Sequence, residues 1–153
     1  MRKVGWWAVL LLVAGGAGAQ VDTAAPATVA VPVAAPDEVI VFDKTSYRGA
    51  WMKLRVGDEL PNLEFSADGN WESRISSVKV GTDAVAVFFS SSEYKSFCLA
   101  LPGQSLGGAG YYPDLSRIHN KDLRIPMNDM ARSIRILGRD ADLATACTPP
   151  KRK

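Results

Sequence analysis

From Glu38 onward the apolar residues fall in short runs broken by Gly, Pro, Asn, Asp and Ser. The runs Val39–Phe42, Ala50–Leu54, Ser76–Val80, Ala84–Phe89, Ser96–Leu101 and Ser133–Leu137 are rich in β-branched and aromatic residues, which predicts strands. No stretch sustains a helical period, and Leu115–Asn120 has room for one helical turn. Short strands with frequent turns predict an all-β sandwich.

Upstream of Glu38 the texture differs. Residues 20–37 are dominated by Ala, Val, Pro and Thr. Proline lacks the N–H and has a fixed φ, so this stretch reads as an extended, partly polyproline-like linker that holds the domain away from the N-terminus. Residues 1–19 carry a different pattern. Arg2 and Lys3 precede the apolar run Val4–Val13, and Ala17-Gly18-Ala19 fits a small-residue cleavage site. This order predicts a signal peptide cleaved before Gln20, hence a periplasmic or extracellular protein. The competing assignment is a membrane anchor. A spanning helix needs roughly 20 apolar residues, and this run fades into Gly and Ala well before that. After cleavage no integral membrane segment is expected.

The strand region is internally duplicated. Phe42-Asp-Lys-Thr-Ser-Tyr47-Arg-Gly49 is echoed by Phe89-Ser-Ser-Ser-Glu-Tyr94-Lys-Ser96. Pro61-Asn62-Leu63 is echoed by Pro113-Asp114-Leu115, and Ser77-Val78-Lys79-Val80 by Ser133-Ile134-Arg135-Ile136. The separation grows along the repeat, so the second copy carries longer connections, among them the glycine-rich stretch Gly103–Gly110. Two copies of about four short strands suit two Greek keys sharing one core. The first spans residues 38–82 and the second 83–138, with residues 139–153 as a C-terminal tail.

Charge narrows the partners. The signal segment holds two of the 18 basic residues and none of the 16 acidic ones, so the remainder is neutral. That balance gives no reason to expect nucleic acid. The partner is expected to be a protein or a component of the envelope. Lys151-Arg152-Lys153 reads as a solvated end. In an oxidising compartment the two cysteines, Cys98 and Cys147, would pair and staple the tail to the domain. In a reducing one they would be a buried strand thiol and an idle tail thiol.

The duplicated segments resemble the signature of the βγ-crystallin family, an aromatic, four residues, an aromatic, one residue and a glycine. Phe42, Tyr47 and Gly49 fill it in the first copy. Phe89 and Tyr94 fill it in the second, where Ser96 stands in place of glycine. The glycine position tends to require positive φ, so Ser96 implies a relaxed turn or a small strain. The resemblance covers residues 38–138 and implies a Greek-key β-sandwich of two four-stranded sheets.

The family's second signature is a six-residue calcium loop of the form Asn/Asp, Asn/Asp, any, any, Ser/Thr, Ser, often preceded by tryptophan. Here Trp71 precedes Glu72-Ser73-Arg74-Ile75-Ser76-Ser77, and the second copy has Asn128-Asp129-Met130-Ala131-Arg132-Ser133. The resemblance implies that each site joins the first half of one loop to the fifth-position hydroxyl of the other. One site would then use Asn128, Asp129 and Ser76. The other would use Glu72 and Ser73 with position 132, where Arg132 cannot ligate calcium and would repel it. Calcium takes six to eight oxygens, so one weak site is expected, with the second degenerate. Alternatively both loops are plain turns, with Arg132 paired to Glu72 or Asp129 in place of a metal.

Other chemistry is sparse. His119 is the only histidine, and no nucleophile-elbow sequence accompanies it, so a non-enzymatic protein is expected. Trp51 and Trp71 read as core. Ser90–Glu93 reads as a polar hairpin tip. The segment 103–112, with Tyr111 and Tyr112, is the surface through which a binding module or protease inhibitor of this fold would act. The leading expectation is a secreted or periplasmic structural domain that binds calcium weakly.

Overall fold

The computed structural model describes residues 30–118 and 127–148. The expected signal peptide, residues 20–29, residues 119–126 with His119, and the basic C-terminal end lie outside them. In chain order the strands are β1 (Glu38–Lys44), β2 (Arg48–Arg55), β3 (Glu59–Leu60), β4 (Ser77–Val80), β5 (Val85–Ser91), β6 (Lys95–Pro102), β7 (Tyr111–Tyr112) and β8 (Ser133–Leu137). They form two four-stranded sheets, β2-β1-β4-β7 and β3-β8-β5-β6, with every neighbouring pair antiparallel. The short strands β3 and β7 cross over, each half lending one strand to the other half's sheet. A single 3-10 turn, Leu115–Arg117, occupies the place of the expected helical turn. Among the described residues no helix is long and apolar enough to cross a membrane.

Strand alternation explains the core. Val39, Val41, Met52, Leu54, Val78 and Val80 of the first sheet meet Ala86, Phe88, Leu101, Ile134 and Ile136 of the second. Trp71 joins them at 3% exposure. Trp51 does not, and the expectation that it is core is corrected: it is 46% exposed. Met52 and Leu54 share the inward parity, which turns Trp51 and Lys53 to the outer face. There the register sets Trp51 beside Phe42, and Lys53 beside Ile40, Lys79 and Tyr111 in one row.

Each outer face is partly covered by a segment that flanks the strands. On the first sheet, residues 30–36 do not stand clear as a linker; they lie against the strands as a strap. Lys79 Nζ donates to Pro32 O at 2.8 Å, Ala35 N–H donates to Glu38 Oε2 at 3.1 Å, and Asp83 N–H donates to Pro36 O at 2.9 Å. Ile40 is outward-facing and 0% exposed. At Gly81 a Cβ would overlap the Ala35 and Pro36 carbonyls, so the close approach of the strap requires glycine there. On the second sheet, Val85, Val87, Phe89 and Tyr94 pack with Ala146 of the tail. The Cys98–Cys147 disulfide closes that contact across 49 residues, with Cα atoms 5.6 Å apart.

Candidate calcium loops

Each loop hangs from a folded hairpin, and the two hairpins match closely. Phe42 and Tyr47 meet edge-to-face at 5.7 Å, and Phe89 and Tyr94 at 5.6 Å. Ser46, Tyr47 and Gly49 have φ of 58°, 59° and 80°; their counterparts Glu93, Tyr94 and Ser96 have 59°, 56° and 64°. Ser96 thus adopts the left-handed conformation itself. Burial raises the pKa of both hairpin tyrosines, that of Tyr94 to about 12 with help from the Glu59 carboxylate. The last serine of each loop locks its hairpin. Ser77 Oγ accepts from Tyr47 N–H at 3.0 Å and donates to Lys44 O at 2.6 Å. Ser133 Oγ accepts from Tyr94 N–H at 3.1 Å and donates to Ser91 O at 2.7 Å. The sixth loop position is therefore a structural clamp in both halves. Ser90 Oγ, at the polar tip, accepts from Phe97 N–H at 3.1 Å, which is hairpin chemistry of the same kind.

Why one hairpin takes glycine and the other serine is a matter of one neighbour. A Cβ at Gly49 would run into Asp43 Oδ1, which is itself buried with no hydrogen-bond partner. The residue equivalent to Asp43 in the second hairpin is Ser90, one atom shorter. There Ser96 fits and its Oγ accepts from Ser91 Oγ at 2.9 Å.

The two loops clasp each other with reciprocal backbone bonds. Ser73 N–H donates to Ala131 O at 2.9 Å, and Asp129 N–H donates to Ile75 O at 3.0 Å. Ser73 and Asp129 both sit in the left-handed region, at φ 53° and 55°. Ser76 O accepts from Leu115 N–H and Arg132 O from Leu63 N–H, each at 2.9 Å. With the backbones equivalent, side chains decide what each loop can hold.

On one side, Ser76 Oγ lies 3.0 Å from Asp129 Oδ1 and 3.2 Å from Asp43 O. Asn128 Nδ2 donates to Asp129 Oδ2 at 3.0 Å. A carboxylate, a hydroxyl and a backbone carbonyl thus converge, with an amide adjacent. These are oxygen donors of the kind calcium takes, with water needed to complete six to eight. A single carboxylate places such a site at the weak end. Among the described residues no three His, Cys, Asp or Glu side chains cluster as metal ligands.

On the other side, Arg132 Nε lies 3.0 Å from Glu72 Oε1. The guanidinium fills the fifth position, and Ser73 is exposed. This donor set does not fit a cation, because a fixed positive charge already occupies it. Nearby Arg74 is tied down by Asn70 O at 2.8 Å and Asp43 Oδ2 at 3.1 Å, and lies over the Trp71 ring.

The glycine-rich segment 103–112 is anchored at a few points, with Gln104, Ser105, Gly107, Ala109 and Tyr111 exposed between them. A Cβ at Gly103 or Gly108 would overlap the backbone carbonyls of Gly81 or Pro102, and Tyr112 Oη donates to Pro102 O at 2.8 Å. Tyr111 is its one large exposed ring, at 52%.

No protein-family model matches the sequence, nor does any curated protein. Solved structures do match the fold. The N-terminal domain of Protein S superposes with a TM-score of 0.51 at 18% identity, covering 66% of this chain and 96% of that one. A domain solved in connection with the evolution of the eye-lens βγ-crystallin fold gives 0.54 at 20% identity, covering 70% and 91%. The βγ-crystallin domain of Abundant Perithecial Protein from Neurospora crassa, in a calcium-bound form, gives 0.51 at 18% identity, covering 72% and 99%. The chain has the βγ-crystallin fold.

Proposed function

We propose that this chain is an exported, non-enzymatic structural domain carrying one weak calcium site. The observation that carries the site is the contact of Ser76 Oγ with Asp129 Oδ1 at 3.0 Å, which joins the loops of the two halves. Asn128, Asp129, Ser76 and the Asp43 carbonyl would hold the ion, and calcium would supply charge that cross-links the loops. Glu72 and Ser73 form no second site while Arg132 is paired with Glu72. The calcium-bound form of the Neurospora crassa domain supports the reading for this fold. Export is supported by the apolar N-terminal run and by the disulfide, since such bonds persist in oxidising compartments.

A ligand that binds only the native state raises its stability by mass action. Calorimetric titration with calcium should therefore give one saturable event in the micromolar-to-millimolar range, of about 10⁻⁵–10⁻³ M. The melting temperature should rise in parallel. Asp129→Ala should abolish both, each read against the variant's own calcium-free melting temperature, because alanine tolerates the φ of 55° less well than aspartate. Equal responses of parent and variant, or no response in either, would overturn the calcium site.

A further inference from the structure

The outer face of the first sheet has a surface chemistry that nothing above uses. Of the large apolar side chains that stand exposed among the described residues, Val31, Val33, Trp51 and Tyr111 belong to this face or its strap. Trp51 shares an open cleft of about 240 Å³ with Val31, Pro32, Tyr47 and Arg48. Tyr111 continues the patch, its ring meeting that of Tyr47 at 6.4 Å. The surround is basic. Arg48 lines the cleft, and Lys53 and Arg55 stand on the outward side of β2, at 39% and 69% side-chain exposure. Both lean on one acid, Glu38, at 3.1 and 3.3 Å. The Ala35 N–H and Lys53 hold that carboxyl below the ordinary range, so it stays charged and still leaves cations in excess. Lys79 lies beneath the strap, 5.0 Å from the Tyr47 ring centre.

We infer that this face docks on the surface of a lipid bilayer bearing anionic headgroups. Trp and Tyr rings with an apolar body and a polar edge settle at the headgroup level. Long basic side chains reach the phosphates while their stems cover apolar surface. A second copy of the same face is disfavoured, because it would set cationic rims against each other. The inference rests on the reading of the chain as an exported envelope protein. Its test runs in chelator, so its failure and that of the calcium site are told apart.

The exported protein is mixed with vesicles of phosphatidylethanolamine and phosphatidylglycerol, or of phosphatidylcholine alone, and sedimented. It should bind the anionic vesicles and lose that binding in high salt. Arg48→Glu reverses one charge and should weaken binding about tenfold or more. Trp51→Ser should weaken it by about tenfold, the worth of burying one large ring. Phe65→Ser, at a 78%-exposed tip outside this face, should leave it unchanged. Equal binding to both vesicle types, or loss in Phe65→Ser equal to that in Trp51→Ser, would overturn the inference. So would association of the protein with itself through Trp51 without vesicle binding.

Discussion

The two outer faces of the sandwich present one geometry closed in two ways. In the second half, Arg135 lies over the Tyr94 ring and donates to Thr148 O at 3.2 Å, holding the C-terminal tail. In the first half, the equivalent Lys79 lies over the Tyr47 ring and donates to Pro32 O, holding the N-terminal strap. The same backbone position thus carries a base that serves as a clamp for a terminal segment. The difference comes one strand away. Where the second half has Cys98, bonded to Cys147, the first half has Trp51. One cover is covalent. The other is a set of hydrogen bonds and apolar contacts with a half-exposed indole at its margin. Duplicated backbones can therefore be given different tasks by few side chains, provided those chains sit where the ends of the polypeptide pass.

The largest effect is expected from removing the covalent cover. Cys98→Ala with Cys147→Ala frees a loop spanning 49 residues and should lower unfolding stability by about 3–4 kcal/mol on the chain-entropy model. Tail residue Ala146 should lose its protection from solvent. Trp51→Ala, at the matching position, should cost less, about 1–2 kcal/mol, because roughly half of the indole already lies in solvent. Urea denaturation of both variants tests the contrast. Comparable losses would mean that the strap depends on Trp51 as heavily as the tail depends on its disulfide.

Next in size is the hairpin pair Asp43–Gly49 against Ser90–Ser96. Gly49→Ser adds a Cβ in the left-handed region and forces it into Asp43 Oδ1. Conformational strain of about 1–2 kcal/mol and overpacking of about 1–3 kcal/mol act together, so a loss of about 2–5 kcal/mol is expected. Asp43→Ser on that background reproduces the second hairpin and should recover the steric part, leaving the conformational strain. Residues in contact couple, so the double variant should be more stable than the sum of the single changes predicts. Additive losses would show that the aspartate is not what excludes a side chain from position 49.

These contrasts also mark what could be read before folding and what could not. The apolar alternation and the aromatic pairs Phe42–Tyr47 and Phe89–Tyr94 were enough for two sheets of Greek-key type, because each signal lies within a few residues. Strands β3 and β7 span two residues each and carry no period, so they escape pattern reading. The outward turn of Trp51 was legible in the parity of Met52 and Leu54, yet its aromatic character suggests core. Composition reported that residues 30–36 are extended, but their docking depends on Lys79, remote in sequence. Asp43 shows the same limit. Its carbonyl faces Ser76 and its carboxylate packs on Gly49, and neither relation has a local trace. The Arg132–Glu72 pairing was readable once the loops were aligned, because opposite charges stood at positions that the clasp brings together.

The smallest expected effect on stability bears most directly on the two loops. The Arg132–Glu72 pair is half-exposed, at 53% and 26% side-chain exposure, so solvent screens it and its loss should cost between about 0 and 1 kcal/mol. Arg132→Ser should nonetheless change what the first loop can bind. It removes a guanidinium from beside Glu72 and places a hydroxyl at the fifth position, as Ser76 stands opposite Asp129. Calcium binding at Glu72 and Ser73 should then become measurable, though partial, because Ser73 supplies no carboxylate. Adding Ser73→Asp should strengthen it beyond either change alone, since both residues would belong to one coordination shell and couple. The conformation at position 73 helps, because its φ of 53° matches the 55° of Asp129, and aspartate tolerates that region better than most residues. Asp129→Ala should leave this engineered site largely intact while removing the other. Titration of the double variant should therefore show two binding events against one in the parent. If it shows no more than the parent, side-chain chemistry is not what separates the two loops, and their shared backbone serves as a turn in both halves.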